Sequence, residues 1–177
     1  AKTIFERRTK AVEQLLPLVE RYYALLSSDR EQIGMQYRSD LQEGTMADML
    51  LASRRKDFIN EHTTVGVHRD DVIFTISEYP LRKFGSQGQQ KSFLVALKLA
   101  EYTLLAEHNN EKPILLLDDL FDKLDMGRVA QLLRLVGSDM FGQIFITDCN
   151  KHRLQRTLSE AGAEYKLFTI AEGKHHE

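Results

Sequence analysis

The sequence predicts an α/β fold with a mixed or parallel sheet, because segments with strand periodicity alternate with segments of helical periodicity from residue 61 onward. Two runs carry the functional signal. Residues 84–92 form a glycine-bearing loop that opens an amphipathic helical segment, and residues 113–119 form a short apolar strand ending in Asp118 and Asp119. Together they predict phosphate contact and magnesium chemistry. The complementary G-x-x-x-x-G-K-[ST] phosphate loop does not occur in the 177 residues.

Composition and charge exclude several classes of protein. With 42% hydrophobic and 28% charged residues the chain can bury a core, and we expect one domain or one domain with an appendage. A net charge of -2 requires any nucleic-acid contact to come from a local patch or from parts of the protein outside this chain. The single cysteine, Cys149, excludes an internal disulfide. No apolar stretch approaches the roughly 20 residues of a membrane helix, so we expect a soluble, cytoplasmic protein without membrane contact.

The first third of the chain is predicted to be helical. Apolar residues recur at three- and four-residue steps from Ile4 to Leu26, and Pro17 is expected to kink or divide this helix. A second helix is predicted from Thr45 to about Asn60, because Thr45 and Asp48 have capping-box spacing. The first helix begins without a capping residue. Since the phosphate loop is also missing, we expect the chain to be the C-terminal part of a longer protein.

The remaining elements are predicted from the periodicity of apolar residues and from residues that end helices and strands. A half-buried strand is predicted where Val72, Phe74 and Ile76 alternate with Ile73, Thr75 and Ser77. A helix is expected directly after the loop, with its apolar positions between Phe93 and Leu105. The other predicted elements are a strand at 114–117, a helix at 128–136, a strand at 143–147, a helix at 151–161 and a strand at 165–170.

The glycine-bearing loop has the residues of an anion site. A helix that begins after Ser86, Gln87, Gly88 and Gln89 presents unpaired backbone N–H groups, a hydroxyl and two amides, and Gly88 lets a phosphate approach closely. The dipole of one helix contributes only about 0.3 to 1 kcal/mol, so such a loop completes a nucleotide site rather than forming one alone. The alternative is structural: Ser86 or Gln87 is an N-cap and Gly88 a turn residue.

The paired acids can divide the work of phosphoryl transfer. Four apolar residues precede Asp118 and Asp119 and place them at the carboxyl end of a buried strand, where ligands bind in open α/β sheets. One carboxylate can hold magnesium while its neighbour orients or deprotonates the attacking water. The alternative is a helix cap or turn after a core strand.

The order of these motifs resembles that of the ABC-type ATPases, in which a signature loop, a helix, a Walker B strand and a D-loop follow one another. The closest resemblance is to the RecF family of ABC/SMC-like ATPases. Three runs carry it: Gly66 to Asp71 (GVHRDD), Ser86 to Gln90 (SQGQQ) and Leu115 to Asp119 (LLLDD). The sequence departs from the family pattern at Val67, at Lys91-Ser92, at Asp122 in the D-loop, and at Thr147-Asp148, where many ABC ATPases have a switch histidine.

The resemblance implies an ABC-ATPase-type C-terminal half, with a helical arm at residues 1–63 and the signature-loop and Walker B portion at residues 64–177. Asp118 would bind Mg²⁺, and Asp119 would act on the attacking water. The loop residues would contact the γ-phosphate of ATP held by a second protomer: Ser86, Gln87, Gly88 and Gln89. Asp125 would belong to the D-loop across that interface. The roles of His68 and Arg69 stay open between phosphate contact and a structural network with Asp70 and Asp71.

Function is likewise implied by the resemblance. It suggests a DNA replication, repair and recombination protein that binds ATP, forms an ATP-dependent homodimer on DNA at single-stranded gaps, and acts with RecO and RecR to load RecA. Hydrolysis would be slow, and this chain alone would be inactive. One alternative is a partner-binding nucleotide switch without significant turnover. Another is a transporter ATPase, which the SQGQQ and GVHRDD runs disfavour.

Overall fold

Two units make up the chain in the computed structural model, which describes residues 1–27, 31–119, 124–160, 162, 164–171 and 174–176. The first unit is Ala1–Leu104 and the second is Leu105–Glu177. The first contains α1 (Lys2–Ser27), β1 (Ile33–Arg38), a 3-10 turn (Asp40–Gln42), α2 (Met46–Asn60), a second 3-10 turn (Val67–Arg69), β2 (Asp71–Ile76), β3 (Tyr79–Pro80), α3 (Leu81–Phe84) and most of α4 (Gln87–Asn109). The second contains β4 (Leu115–Leu117), α5 (Met126–Val136), β5 (Ile144–Ile146), α6 (Lys151–Glu160), β6 (Thr169–Ala171) and β7 (Lys174–His176).

Helix α1 is not divided at Pro17, contrary to one of the two outcomes expected for that residue. An internal proline removes a backbone hydrogen bond and crowds the preceding turn, at a cost of about 3 kcal/mol. Pro17 is exposed, whereas Val19, Tyr22 and Tyr23 just after it are completely buried. Tertiary packing of these side chains therefore outweighs the local cost.

The first unit contains a strand where only helices were predicted. β1 pairs antiparallel with β2, from Ile33 opposite Ile76 to Arg38 opposite Asp71, and β3 lies on the other side of β2. Gly34 permits this pairing, because a Cβ there would lie 2.7 Å from the hydroxyl oxygen of Thr75. The strand was missed because six residues next to a long helix carry little periodic signal, whereas the predicted β2 is confirmed.

Helices α1 and α4 meet in the core of the first unit. The Tyr22 and Thr103 hydroxyls are hydrogen bonded at 2.7 Å. The Phe93 ring lies 6.3 Å from the ring of Tyr23 and 4.8 Å from that of Phe74, centroid to centroid. Aromatic pairs at these separations add to the stabilisation that burial provides. The first turns of α4, which follow the predicted anion loop, are thus anchored to both α1 and the sheet.

The second unit contains the predicted parallel strands. β4 pairs with β5 in the register Leu115 to Ile144, Leu116 to Phe145 and Leu117 to Ile146. Parallel pairing brings the carboxyl ends of both strands to one edge. The final strand differs from the prediction of 165–170, because β6 begins at Thr169 and pairs antiparallel with β7 instead of joining β4. Within the described residues, no helix is long and apolar enough to cross a membrane.

Candidate nucleotide-binding loop and acidic strand end

Ser86 is the residue from which α4 starts. Its hydroxyl oxygen accepts the Gln89 N–H at 3.2 Å, and the Gln89 Oε1 atom accepts the Ser86 N–H at 2.6 Å. The Ser86 carbonyl accepts the Gln90 N–H at 2.9 Å. This reciprocal arrangement is a capping box with glutamine at the third helical position. The capping alternative is therefore right about local structure, and capping does not remove the ability to bind an anion.

Two backbone donors at this helix end stay open. Across the ranges that the structure describes, no residue accepts a hydrogen bond from the N–H of Gln87 or Gly88. Ser86 and Gln87 are exposed, and Gly88 is partly so. The N–H groups of a first helical turn lack intrahelical partners and attract anions. An anion bound at this helix end would thus meet donors at Gln87, Gly88 and the Ser86 hydroxyl.

The side chain of Gln89 is already engaged within the chain. Besides capping Ser86, it donates from Nε2 to Oε1 of Glu31 at 2.7 Å. The other oxygen of Glu31 accepts the Tyr23 hydroxyl. Contact of Gln89 with a γ-phosphate stays a prediction, and in this structure both ends of its amide are bound elsewhere. Sequence reasoning missed Glu31, which lies 58 positions from Gln89 and in no recognisable motif.

Asp118 and Asp119 lie at the carboxyl end of β4, and both are exposed. Thr147, just past β5, joins them: its hydroxyl donates to Oδ1 of Asp118 and accepts the Asp119 N–H at 3.2 Å. Its own N–H donates to the Leu117 carbonyl at 2.9 Å. Asp119 has a φ of 48°, in the left-handed region that aspartate and asparagine enter more readily than most residues.

The residues at this strand end suit magnesium held in part by phosphate. No group of three or more histidine, cysteine or acidic side chains forms a metal cage among the described residues. Mg²⁺ is typically bound by one or two carboxylates together with substrate phosphates and water. The Asp118 carboxylate, oriented by Thr147 and open to solvent, has the hard oxygen donor that such a site requires.

Asp125 has a defined structural position at the start of α5. Its Oδ1 atom accepts the Arg128 N–H at 2.9 Å, which makes it the N-cap, and its other oxygen lies 3.2 Å from Nε of Arg128. The predicted D-loop contact across a dimer remains a prediction. Asp122, the predicted departure within that loop, lies outside the described residues.

The GVHRDD run is built around Asp70, whose side chain is only 2% exposed. Its Oδ2 atom accepts from Nη1 of Arg8 at 2.7 Å and from the Tyr37 hydroxyl at 2.5 Å. Arg8 also donates to the Val67 carbonyl at 2.5 Å.

Charge and burial oppose each other in this cluster. Burial disfavours the charged form of Asp70, but hydrogen bonds from Ser39, Tyr37 and Arg8 outweigh burial and lower the pKa of the carboxyl. Burial raises the pKa of Tyr37, and its hydrogen bond to Asp70 raises it further. Asp70 thus belongs to the structural network that sequence analysis left open. His68 and Arg69 are exposed on the adjoining turn.

Comparison with known proteins gives one consistent relationship, although no protein-family model matches. The chain is 41% identical over 170 residues to "DNA replication and repair protein RecF" of Bacteroides thetaiotaomicron, a match that covers 96% of this chain and 46% of that protein. It is 42% identical over 171 residues to the protein of the same name in Parabacteroides distasonis, covering 97% of this chain and 47% of that protein. The chain therefore spans about half the length of the curated relatives it matches.

Solved structures agree with the sequence relatives. A structure of the recombination mediator protein RecF-ATPrS in the RecFOR pathway matches with a TM-score of 0.70 and 26% identity, over 97% of this chain and 45% of that one. A second, of RecF-ATP, matches with a TM-score of 0.66 and 28% identity, over 84% of this chain and 42% of that one. These matches confirm the predicted α/β fold, with which the ABC-ATPase architecture is consistent. The chain belongs to the RecF family and corresponds to a C-terminal part of its members.

Proposed function

We propose that the full-length protein carrying this chain is an ATP-dependent, DNA-binding dimer that acts in DNA replication, repair and recombination. It assembles on DNA at single-stranded gaps and works with RecO and RecR to load RecA. The names of the relatives support the DNA-repair role, and the structures of RecF-ATPrS and RecF-ATP support nucleotide binding. The names of the relatives do not include dimerisation, the preference for gaps or the partners RecO, RecR and RecA. We propose these properties in addition.

The observation that carries the proposal is the open helix end at Gln87 and Gly88. Two unpaired N–H groups and the Ser86 hydroxyl face solvent, yet the 177 residues contain no G-x-x-x-x-G-K-[ST] loop to hold the rest of a triphosphate. The helix dipole contributes only about 0.3 to 1 kcal/mol at an exposed end. Such a loop can bind a phosphate when another protomer holds the rest of the nucleotide. A two-fold symmetric dimer contains two sites of this kind.

Asp118 and Asp119 act on the nucleotide that is bound by their own protomer. Asp118 holds Mg²⁺, which when bound neutralises charge on the phosphates. Asp119 orients the attacking water and takes its proton, and Thr147 fixes Asp118 and the backbone of Asp119 relative to each other. Each composite site then contains the acids of one chain and the Ser86 loop of the other.

The test is ATP-dependent dimerisation and DNA binding by the full-length protein, compared with its Ser86→Arg variant. An arginine side chain fills the space in front of the open N–H groups, so dimer formation and ATP-stimulated DNA binding should both fall at least about tenfold. Ser159→Arg makes the same change at an exposed serine of α6 and should leave both unchanged. Parental behaviour of Ser86→Arg would defeat the trans contact.

One observation favours a second candidate, a nucleotide switch without significant turnover. Thr147, which cannot act as an acid or base near neutral pH, occupies the position at which many ABC ATPases have a switch histidine. ATP would then favour the dimer without being consumed at a useful rate. Turnover above background in the presence of magnesium and DNA would decide against this candidate.

A further inference from the structure

We propose that Glu31 is a positioning residue for the Ser86–Gln89 loop, holding the side chain of Gln89 so that the loop keeps its anion-binding shape. The inference rests on the proposed function for its role in dimerisation, but the geometry lies entirely within Ala1–Leu104. Glu31 does not contact the nucleotide in this proposal. It acts through Gln89.

Gln89 makes both hydrogen bonds of the cap that closes the loop. Gln89 Oε1 accepts the Ser86 N–H at 2.6 Å, and its backbone N–H donates to the Ser86 hydroxyl oxygen at 3.2 Å. An unrestrained glutamine side chain samples many rotamers, which opposes the first of these bonds by entropy. The 2.7 Å hydrogen bond from Nε2 of Gln89 to Glu31 removes that freedom, and the negative charge on the acceptor strengthens the bond.

Glu31 is itself held from the core. Its second carboxylate oxygen accepts the hydroxyl of Tyr23, a side chain with 0% exposure. The Tyr23 ring packs on Phe93, which lies on α4. The position of Glu31 is therefore set by buried aromatic packing rather than by the loop, and a continuous series of contacts runs from Tyr23 through Glu31 and Gln89 to Ser86.

This series has a consequence for the open donors. With Gln89 restrained, the Ser86 hydroxyl oxygen and the Ser86 N–H each have a partner inside the cap, and the N–H groups of Gln87 and Gly88, together with the hydroxyl proton of Ser86, are offered to an anion. Without Glu31, the Gln89 amide rotates freely and the first turn frays. The donors are then no longer fixed before the partner's nucleotide arrives, and fixing them on binding costs affinity.

Hydrogen–deuterium exchange of the full-length protein without nucleotide tests the structural part. Glu31→Ala should speed exchange in a peptide covering residues 84–92 by about fivefold, the effect expected for losing much of one cap. Glu31→Gln, which keeps only one acceptor oxygen, should speed it by a smaller factor. Glu20→Gln removes the same charge from an exposed position of α1 and should change nothing. Unchanged exchange in both Glu31 variants would overturn the proposal.

An exchange of the two side-chain types provides a rescue. In Glu31→Gln combined with Gln89→Glu, the amide at position 31 can accept from Tyr23 and donate to the carboxylate at position 89. That carboxylate can still accept the Ser86 N–H, since glutamate suits the same capping position. The double variant should restore slow exchange in residues 84–92. Exchange as fast as in Glu31→Ala would show that the contact with Glu31 does not hold the loop.

Dimerisation gives the functional readout. The ATP concentration that half-saturates dimer formation should rise about fivefold in Glu31→Ala, while ATP affinity measured under dilute, monomeric conditions should equal that of the parent. A fall in the half-saturating concentration would instead mean that the Glu31 charge repels the nucleotide, and would overturn the proposal. If the parent itself forms no dimer with ATP, the proposed function fails, whereas the exchange experiment still decides whether Glu31 positions the loop.

Discussion

The Thr147 hydroxyl donates to the carboxylate of Asp118 and accepts the N–H of Asp119, so one side chain at the end of β5 organises both acids at the end of β4. The parallel pairing of β4 with β5 places Thr147 there. Its N–H donates to the Leu117 carbonyl and so extends the ladder of hydrogen bonds past the end of β5. A threonine therefore occupies a position between the strand ends that could otherwise hold a residue able to exchange protons. Its contribution is orientation.

Replacing Thr147 by valine should slow ATP turnover by the full-length protein by about fivefold, with little change in ATP affinity. Valine has nearly the same shape but loses both hydrogen bonds of the hydroxyl. Loss of the bond that orients Asp118, a change on the order of 1 kcal/mol, leaves that carboxylate free to rotate. Steady-state turnover and equilibrium nucleotide binding are the measurements. Thr147→Ser is the matched control, since it keeps the hydroxyl, and a loss as large as that of valine would remove hydroxyl orientation as the cause.

Asp119→Asn should preserve ATP binding and ATP-dependent dimerisation while lowering turnover by at least about a hundredfold. The loss of a general base has an effect of this size. Asparagine also tolerates the left-handed backbone observed at this position, so the variant should fold normally. Single-turnover hydrolysis measured beside nucleotide binding separates the two effects. Parental turnover would remove Asp119 from the water-activating role.

Asp70→Asn should destabilise the first unit by about 2 kcal/mol, because a charge-assisted pair with Arg8 is replaced by a neutral group in a buried position. Chemical denaturation of the full-length protein, followed by a probe in residues 1–104, measures the change in free energy of unfolding. Glu78→Gln, at an exposed residue without a buried partner among the described residues, is the control.

The same carboxyl predicts a pH dependence. The folded-state pKa of Asp70 lies below its unfolded value of about 3.9, so its stabilisation is present above that value and is lost as pH falls through the folded pKa. Asp57, whose pKa is lowered chiefly by the Thr64 hydroxyl, contributes in the same direction. Between about pH 5 and pH 2, the free energy of unfolding should therefore fall less steeply in Asp70→Asn than in the parent. Equal slopes would contradict the assignment of the low pKa to Asp70.

Local chemistry made much of this fold predictable. Thr45 caps α2 as its spacing with Asp48 predicted, and α4 begins at the glycine-bearing loop. The run before Asp118 is a strand as predicted, but it is buried on one face only, because Leu115 and Leu117 are buried whereas Leu116 is 70% exposed. Each of these features is determined by residues only a few positions away in the sequence. The antiparallel pairing of β6 with β7 was not predicted, because alternation identifies a strand but not its partner.

The contacts that organise the candidate site could not be predicted in the same way. Gln89 meets Glu31 across 58 positions, and Thr147 meets Asp118 across 29. The first contact depends on how the segment after α1 meets α4, and the second on the pairing of β4 with β5. Glu31 belongs to no motif, and Thr147 was noted in the sequence only as a departure at the position of a switch histidine. The residue types at the loop and at the strand end were predictable, whereas the side chains that orient them became visible only in the folded chain.

Mixing two inactive variants tests the central claim, that the Ser86 loop and the acids of one chain serve different composite sites. In a mixed dimer of full-length Ser86→Arg and Asp119→Asn protomers, one composite site carries both changes and the other carries neither. The account predicts that the mixture regains ATP turnover well above the sum of the separate variants, up to about a quarter of the parental rate for random pairing. If loop and acids instead act within one chain, every site keeps a defect, and a mixture no more active than its components would contradict the account.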